Sequence, residues 1–358
     1  MPNLKWLCFG AGAIGTYIGG SLSLAGEAVV FLEQPAVLGE LRARGLRLDL
    51  RADKRRQTGG PRVLEPSALV FCESLEEALQ HGPFDAAIYA LKSFDIGAAL
   101  NSMRPLAGRT PPVVCFSNGV ENEVELARVL GDGKVIPGTV TTAIGRRGPG
   151  DIVLERLRGV GILSTHAISR RLIDSANAAH LSARPYGDAA AMKWSKMLTN
   201  LIANPTSAIL DMTGAEVLDH PGIYRMEIAM LRECLAVMRA RGISIVDLPG
   251  TPVRALAIAA QLPAWVSKPF LSRAAGAGRG GKMPSFHIDL HSGRGRSEVE
   301  YLHGAVVRAG KESGIPTPIN AFLTETLVAL TRGEIAAQEY ARQPAKLLGA
   351  LHDRASVM

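Results

Sequence analysis

The architecture of the chain is clearest in residues 6–26, whose sequence is WLCFGAGAIGTYIGGSLSLAG. The apolar run 6–9 is short and leads directly into glycines, which predicts a buried strand that ends in a tight turn. Apolar residues between 14 and 22 then recur at helical spacing, and Gly26 offers a helix C-cap. Residues 6–26 therefore predict a strand, a glycine loop and a helix in succession.

The loop carries the pattern G-x-G-x-x-G, formed by Gly10, Ala11, Gly12, Ala13, Ile14 and Gly15. In such a loop the first glycine permits the turn, the second lets backbone N–H groups approach a pyrophosphate, and the third allows close packing of helix on strand. The positive end of the helix dipole then faces the phosphates. Glycine-rich turns also arise for purely structural reasons. The flanking strand and helix favour a dinucleotide site, so we expect all six residues to bind an NAD(P)H cofactor.

The choice between the two nicotinamide cofactors depends on Glu33, which follows the second predicted strand, 28–32, and stands 18 residues after Gly15. An acidic residue at this position accepts hydrogen bonds from the adenosine ribose. Its charge would oppose the 2′-phosphate of NADPH by about 1–4 kcal/mol at a separation of about 4 Å. We therefore expect NADH to be preferred. The alternative is that Glu33 faces solvent and that Arg42 or Arg44 receives the phosphate.

The two halves of the chain differ in their patterning. In the first half, short apolar runs alternate with amphipathic stretches, which is typical of a doubly wound parallel sheet. These runs lie at 6–9, 28–32, 86–91 and 113–116. From about Asp188 onward the apolar spacing becomes helical. We predict an α/β fold, with a Rossmann-type dinucleotide-binding domain over 1–186 and an all-α substrate and catalytic domain over 187–358.

The composition narrows the classes of partner. The chain carries 40 Lys and Arg against 33 Asp and Glu, a balance that suits an anionic ligand. Nucleic-acid binding is not expected, because aromatic residues make up only 5% of the chain and do not cluster with the basic ones. Neither a membrane span nor a signal peptide is expected from the apolar runs. The four cysteines are far apart in the sequence, and we expect them to be reduced. Reduced cysteines are typical of the cytoplasm, so the protein is predicted to be cytoplasmic.

A second informative segment, WSKMLTNLIANPT, occupies residues 194–206. Lys196, Asn200 and Asn204 recur every four residues, so on one helix they would project from the same face. Polar side chains in a mostly apolar helix need partners, which favours a ligand site over plain surface or core. The alternative is a structural hydrogen-bond network between domains.

Together these motifs resemble the ketopantoate reductase (2-dehydropantoate 2-reductase) family. The resemblance rests on the glycine loop, Lys92, the turn at 117–119, the W-x-K-x₃-N-x₃-N-P segment, and Ser285 followed by GRSEVEYLHG at 295–304. It implies reduction of a small anionic 2-keto acid, namely 2-dehydropantoate to D-pantoate in pantothenate and coenzyme A biosynthesis. NADPH is the usual cofactor of the family. The resemblance alone also implies a homodimer formed through the helical domain.

The resemblance assigns the chemistry to two residues. Lys196 would protonate the carbonyl oxygen as hydride arrives, and its charge would stabilise the developing alkoxide. Glu298 would bind a substrate hydroxyl and position Lys196. The plainer alternative for Glu298 is a carboxylate in the first turn of a helix, where it favours the helix dipole.

The resemblance also implies which residues bind the ligands. Asn200, Asn204 and Ser285 would hold the hydroxyl and carboxylate of the substrate. Lys92 and Asn118, at the carboxyl ends of strands, would contact the nicotinamide ribose and the substrate. Two of these have plainer alternatives, because Lys92 follows a strand as a surface residue would and Ser285 is a common type of helix N-cap.

No metal is expected in this site. His287 and His291 are four residues apart and His303 follows, but the sequence assigns no carboxylate ligand to them. Lys196 in any case supplies the electrophile that a metal would provide.

The chain departs from the family pattern where the substrate would bind. Glu300 and His303 replace the usual Asp and Asn, and extra residues occur around 44–66 and 247–282. The second stretch precedes Ser285, so we expect it to cover the substrate. These departures keep open a paralogue that reduces another bulky 2-keto acid. A relative of 6-phosphogluconate dehydrogenase would share the two-domain plan, but it would not explain Lys196 and the asparagines together with Ser285 and Glu298. From a different class, a non-catalytic NAD(P)H sensor also stays open.

Overall fold

A computed structural model of the protein describes residues 3–57, 59–269, 271 and 283–357. The chain forms two compact units. Unit 1 comprises Met1–Lys193 with Leu248–Thr251, and unit 2 comprises Trp194–Asp247 with Pro252–Met358. Residues 270 and 272–282 lie outside the described part, so the covering role of 247–282 stays a prediction.

Unit 1 alternates strands and helices along the chain. Its strands are β1 (Lys5–Phe9), β2 (Ala28–Leu32), β3 (Leu46–Asp49), β4 (Arg62–Leu64), β5 (Val70–Cys72), β6 (Ala86–Tyr89), β7 (Val113–Cys115), β8 (Val135–Val140), β9 (Ala143–Gly148), β10 (Asp151–Arg156), β11 (Val160–Leu163) and β12 (Ala183–Tyr186). The helices between them are α1 (Ala13–Leu24), α2 (Pro35–Arg44), α3 (Leu75–Gln80), α4 (Ile96–Met103), α5 (Asn122–Leu130) and α6 (Ser169–Ala178).

The main sheet of unit 1 has eight strands in the order β12-β11-β8-β7-β6-β1-β2-β5. Neighbouring strands run parallel, except β8 and β11, which pair antiparallel. The four apolar runs predicted as strands form β1, β2, β6 and β7, and these lie side by side within the sheet. The predicted Rossmann-type sheet is confirmed.

Helices cover both faces of this sheet. Trp6 and Cys8 of β1 pack into a core that includes residues of α1 and α6. Leu7 and Phe9 point the other way and pack into a core with residues of α3, α4 and α5. Because strand side chains alternate between faces, this division explains why the strand sequence is apolar throughout.

A smaller sheet, which the sequence did not predict, has the order β4-β3-β10-β9. β10 pairs parallel with β3 and antiparallel with β9. The extra stretch 44–66 supplies β3 and β4, so much of it is ordered structure. Asp53 in the same stretch is buried, and Arg55 and Arg56 each contact its carboxylate at 2.9 Å.

The regular secondary structure in the described residues of unit 2 consists of helices, which confirms the predicted all-α domain. Residues 264–269 form a short helical segment. The longer helices are α7 (Ala189–Leu201), α8 (Asn204–Leu210), α9 (Gly214–Asp219), α10 (Pro221–Ala240), α11 (Val253–Gln261), α12 (Ser285–His291), α13 (Val299–Ser313), α14 (Pro318–Arg332) and α15 (Pro344–Val357). In the described part of the chain, no helix has the length and apolar character needed to cross a membrane.

Candidate active site

The glycine loop between β1 and α1 has two positions that require glycine and one that borders open space. Gly10 has φ +88°, and a Cβ on Gly15 would lie 2.0 Å from the carbonyl oxygen of Gly10. A Cβ on Gly12 would have no heavy atom of the described residues within 4 Å. Gly12 is the N-cap of α1, so this space adjoins the first N–H groups of the helix. An open face beside helix N–H groups suits a pyrophosphate.

Glu33 faces the glycine loop from the end of β2. The N–H of Ala11 donates to one carboxylate oxygen at 2.6 Å, and the N–H of Gln34 donates to the other at 2.9 Å. Beneath the loop, burial and then the charge of Glu33 raise the pKa of the Cys8 thiol, which stays protonated. The loop therefore joins an acidic residue to the place proposed for the phosphates.

The alternative phosphate ligands of the sequence argument make contacts within the protein. Arg42 donates through Nη2 to the carbonyl oxygen of Phe71 at 3.2 Å. Arg44 pairs with Glu40 at 3.0 Å, one helical turn away. Both arginines are thus held by α2 and its neighbours, whereas Glu33 contacts the glycine loop.

Lys92 and Asn118 follow the adjacent strands β6 and β7, and hydrogen bonds join the two loops that carry them. The hydroxyl of Ser93 donates to the carbonyl oxygen of Asn118 at 2.9 Å, and the hydroxyl of Ser117 donates to that of Leu91 at 2.8 Å. Carboxyl ends of parallel strands meet at one edge of a sheet, where ligands of open α/β folds bind. Lys92 and Asn118 are therefore held at the same edge as the glycine loop.

Lys193 anchors this edge, and sequence reasoning missed it. Its side chain is only 7% exposed and pairs with Glu123 at 2.6 Å. The ammonium group also donates to the carbonyl oxygen of Ser117 at 2.7 Å, next to Asn118. A lysine in an amphipathic helix normally predicts an exposed side chain, so the sequence carried no signal for this role.

The prediction that Lys196, Asn200 and Asn204 share one face of one helix is wrong. α7 ends at Leu201, Ala203 adopts a left-handed conformation with φ +54°, and Asn204 begins α8. Pro205 explains the break, because its ring would clash with the carbonyl group of Leu201 and it has no N–H to continue the helix. Only Lys196 and Asn200 lie on α7.

The break nevertheless brings three of the predicted substrate ligands together. Asn204 is 3% exposed, and its Nδ2 donates to the carbonyl oxygen of Asn200 at 3.0 Å and to Oγ of Ser285 at 3.4 Å. Its Oδ1 accepts from the N–H of Phe286 at 3.2 Å. Pro284 is the N-cap of α12, so Ser285 does not have the capping role that was its alternative.

Glu227 of α10 contacts the chain at the break between α7 and α8, and sequence reasoning also missed it. It is fully buried and accepts a hydrogen bond from the N–H of Ala203 at 2.7 Å. The hydroxyl of Thr206 donates to the same carboxylate. Glu227 therefore satisfies a backbone donor that the interrupted helix leaves without a helical partner.

Glu298 precedes α13 and is 2% exposed. It is the N-cap residue, but its side chain makes no capping hydrogen bond to this helix. Its carboxylate is therefore buried for a reason other than capping. Lys196 is half-buried on α7, in the same unit.

The two departures from the family signature are accommodated within unit 2. His303 is fully buried, and its Nδ1 lies 2.9 Å from Oδ1 of Asn320. Burial lowers the pKa of His303 to about 3, although its hydrogen bonds favour the proton, so the ring is neutral near pH 7. Glu300 is exposed on α13 and pairs with Arg332 at 3.6 Å.

A dinucleotide loop in a doubly wound unit, followed by a helical unit that carries a lysine among amides, defines the two-domain oxidoreductases that use a nicotinamide cofactor. Comparison with known proteins is more specific. The family model described as "Ketopantoate reductase PanE/ApbA" matches residues 6–164, and its C-terminal counterpart matches 188–331. The chain belongs to the ketopantoate reductase family and is an NAD(P)-dependent oxidoreductase.

Named relatives share about a quarter of their residues with this chain. The 2-dehydropantoate 2-reductase of Archaeoglobus fulgidus is 26% identical over 332 residues, which cover 90% of this chain and 95% of that protein. The enzyme of the same name from Halobacterium salinarum is 26% identical over 320 residues, covering 87% and 93%.

Solved structures share the fold over most of the chain. A PanE/ApbA family ketopantoate reductase from Ralstonia eutropha JMP134 has a TM-score of 0.75 and 26% identity, and the match covers 92% of this chain and 99% of that one. D-Mandelate dehydrogenase with NADH and anilino(oxo)acetate has a TM-score of 0.72 and 20% identity, with the same coverage.

Proposed function

We propose that this protein reduces 2-dehydropantoate to D-pantoate with a reduced nicotinamide cofactor, and that NADH is preferred. The observation that carries the proposal is that Asn204 contacts both the carbonyl group of Asn200, on the helix that bears Lys196, and the hydroxyl group of Ser285. Amide and hydroxyl groups suit the hydroxyl and carboxylate of a small 2-hydroxy or 2-keto acid. The names of the archaeal relatives support the same substrate.

The residues proposed to bind the cofactor belong to unit 1. Backbone N–H groups from Gly10 to Gly15 would hold the pyrophosphate, and the open face of Gly12 leaves room for it. Glu33 would accept hydrogen bonds from the adenosine ribose, and Lys92 with Asn118 would contact the nicotinamide ribose and the substrate. When bound, the reduced nicotinamide supplies the hydride for the ketone carbon.

The residues proposed for proton donation and substrate binding belong to unit 2. Lys196 would donate a proton to the carbonyl oxygen, so that one hydride and one proton convert the ketone to a hydroxyl group. Its positive charge would also stabilise the oxyanion that develops before the proton arrives. Glu298 would bind a substrate hydroxyl and orient Lys196. Asn200, Asn204 and Ser285 would fix the substrate in a reactive geometry.

A second candidate substrate is a bulkier 2-keto acid. The extra residues at 247–282 favour this candidate. D-Mandelate dehydrogenase, which shares the fold, has a structure with NADH and anilino(oxo)acetate. The departures at Glu300 and His303 give little support to a bulkier substrate. Glu300 forms an exposed ion pair with Arg332, and His303 makes a buried contact with Asn320. We therefore place 2-dehydropantoate first.

The decisive experiment follows oxidation of NADH and NADPH with 2-dehydropantoate and a panel of 2-keto acids. We expect 2-dehydropantoate with NADH to give the highest kcat/KM. A higher value for an aromatic or longer 2-keto acid would establish the second candidate. Tight NADH binding without turnover of any ketone would indicate the non-catalytic sensor.

The role of Lys196 needs its own variant. Lys196→Ala is expected to lower kcat by at least about 10²-fold, the usual contribution of a general acid. Lys311→Ala, at an exposed position in the last turn of α13, is the matched control and is expected to keep wild-type kcat. A Lys196→Ala enzyme with near wild-type kcat would remove the general acid from the proposal.

A further inference from the structure

Asp211, His287 and His291 bring three metal-ligand side chains together on unit 2. Asp211 follows the last residue of α8, and the two histidines lie four residues apart on α12, so they share a face of that helix. Oδ1 of Asp211 is 2.9 Å from Nε2 of His287, and the two imidazole rings have centroids 4.1 Å apart. One ligand atom from each residue lies within 4.8 Å of the other two.

The sequence assigns no carboxylate to the histidine pair, which is one of the two grounds for expecting no metal. α8 packs against α12, where Asn204 contacts Ser285 and Phe286, and this packing brings Asp211 beside the histidine pair. Asp211 is 76 residues away from His287 along the chain, so no local pattern could have shown it. Two imidazoles with one carboxylate form a ligand set of Zn²⁺ sites in proteins.

We propose that Asp211, His287 and His291, none of which has a role in the proposed hydride transfer, bind a divalent transition-metal ion of the Zn²⁺ class. Zn²⁺ takes imidazole nitrogen and carboxylate oxygen at about 2.0–2.2 Å in a tetrahedron, which places ligand atoms about 3.4 Å apart. The Asp211–His287 pair is already within this spacing. The other separations are within 4.8 Å and can shorten by side-chain rotation, since Asp211 and His291 are exposed.

The chemistry of the three residues favours a cation over an anion. The carboxylate of Asp211 repels an anionic ligand, whereas imidazole nitrogens can supply lone pairs to a metal. A simple exposed ion pair between Asp211 and His287 stabilises little and gives no reason for the second imidazole at 4.1 Å. Asp211 also adopts a left-handed conformation, with φ 49° and ψ 49°. Asp tolerates this conformation better than most residues, and the backbone there sets the direction in which its side chain leaves the chain.

A bound metal would join α8 to α12 at a second point. The first residues of the same two helices are already joined by the contact between Asn204 and Ser285. With three protein ligands, the fourth position of the tetrahedron is left for water. We therefore expect the metal to stabilise unit 2 without taking part in hydride transfer.

The test uses the full chain, freed of metal by dialysis against a chelator and titrated with Zn²⁺ by calorimetry. We expect one Zn²⁺ per chain in this site and a Tm that rises with Zn²⁺, since a ligand that binds only the folded state stabilises it. Asp211→Asn and His291→Gln should each weaken binding by at least about tenfold, because even partners outside the coordination shell contribute about that much. Asn keeps the left-handed backbone accessible, so Asp211→Asn is expected to fold.

His352→Gln, which removes an exposed histidine of α15, is the matched control and should bind Zn²⁺ like the wild type. Co²⁺ provides a second measurement, because its visible absorption reports ligand type and coordination number directly on the wild-type chain. Equal Zn²⁺ affinity and stoichiometry for the wild type and His291→Gln would overturn the proposal. So would a Co²⁺ spectrum that shows only the hydrated ion.

Discussion

Gly12 and Gly15 belong to one loop but differ in what surrounds the missing side chain. A methyl group on Gly12 would enter open space, whereas on Gly15 it would lie 2.0 Å from the carbonyl oxygen of Gly10. Gly12→Ala is therefore expected to keep the wild-type Tm and to lose NADH affinity, because its methyl group fills the space proposed for the pyrophosphate. Gly15→Ala is expected to lower stability by about 1–3 kcal/mol, a usual cost of overpacking.

Calorimetric titration with NADH and urea unfolding separate these two effects. Gly39→Ala on α2 is the control, since its Cβ would also meet open space but far from the loop in sequence. It should leave NADH affinity unchanged. If Gly12→Ala bound NADH as tightly as the wild type, the pyrophosphate would have to lie elsewhere.

Glu33 is expected to set the choice of cofactor through its charge. Glu33→Gln keeps the size of the side chain and removes the repulsion of a 2′-phosphate, which amounts to about 1–4 kcal/mol. The ratio of kcat/KM for NADH to that for NADPH should therefore fall by about 5- to 800-fold, and Glu33→Arg should favour NADPH outright. Steady-state kinetics with both cofactors measures this ratio.

Glu76→Gln, at an exposed carboxylate on α3, is the matched control for Glu33→Gln and should leave the ratio unchanged. A wild-type preference for NADPH would refute the role of Glu33. Equal ratios for wild type and Glu33→Gln would show that the charge of Glu33 does not act on the cofactor.

The break between α7 and α8 depends on one buried carboxylate. Glu227→Ala would leave the N–H of Ala203 and the hydroxyl of Thr206 without their acceptor, at about 1–3 kcal/mol for each unpaired group. We expect a lower Tm and a higher KM for the 2-keto acid, because Asn204 begins α8 directly after this break. NADH affinity should change much less, since the cofactor residues belong to unit 1.

Glu312→Ala removes an exposed carboxylate of α13 that pairs with Arg241, and it should be close to neutral. Calorimetric unfolding and steady-state kinetics on both variants provide the comparison. An equal rise of KM for substrate and for NADH in Glu227→Ala would point to general damage to the fold instead of a local role.

Elements with strong local periodicity could be predicted from the sequence, and elements defined by distant pairing could not. β1, the glycine loop and α1 follow from residues adjacent in the chain. β3 and β4 have four and three residues, and the sheet that contains them is completed by β9 and β10 about a hundred residues later. The break at Asn204 did have a local signal, because Pro205 follows it, but the regular spacing of Lys196, Asn200 and Asn204 favoured a continuous helix.

Site residues divide in the same way. The contact of Glu33 with the glycine loop could be predicted, because its distance from the loop along the chain is characteristic of the fold, and its role toward a cofactor stays a prediction. Lys193 and Glu227 could not, because their roles depend on partners brought near by tertiary packing: Lys193 contacts Glu123, and Glu227 contacts Ala203. Lysine and glutamate are rarely buried, so the residue types alone predict that both side chains are exposed.

The stability of the whole molecule is expected to depend on pH through His303. Its pKa is about 3 in the folded chain, against 6.5 for an ordinary histidine. Below pH 6.5 the unfolded chain therefore binds a proton that the folded chain does not, until the pH approaches 3. This histidine should cost up to about 1.4 kcal/mol of stability for each pH unit of acidification in that window, or about 2 kcal/mol between pH 6.5 and 4.5. Well above pH 6.5 its contribution is constant.

His303→Asn isolates this effect, because an amide can still contact Asn320 but does not titrate. Below about pH 6 its free energy of unfolding should fall less steeply than that of the wild type, even if the variant is less stable at pH 7 because of the smaller side chain. Urea unfolding from pH 7.5 to 4.5 measures both curves, and His352→Gln, which removes an exposed histidine, should keep the wild-type slope. Parallel curves for wild type and His303→Asn would mean that the imidazole gains its proton without unfolding. Curves that converge as the pH falls would instead mean that the buried imidazole of His303, within the family signature, destabilises the helical unit in acid.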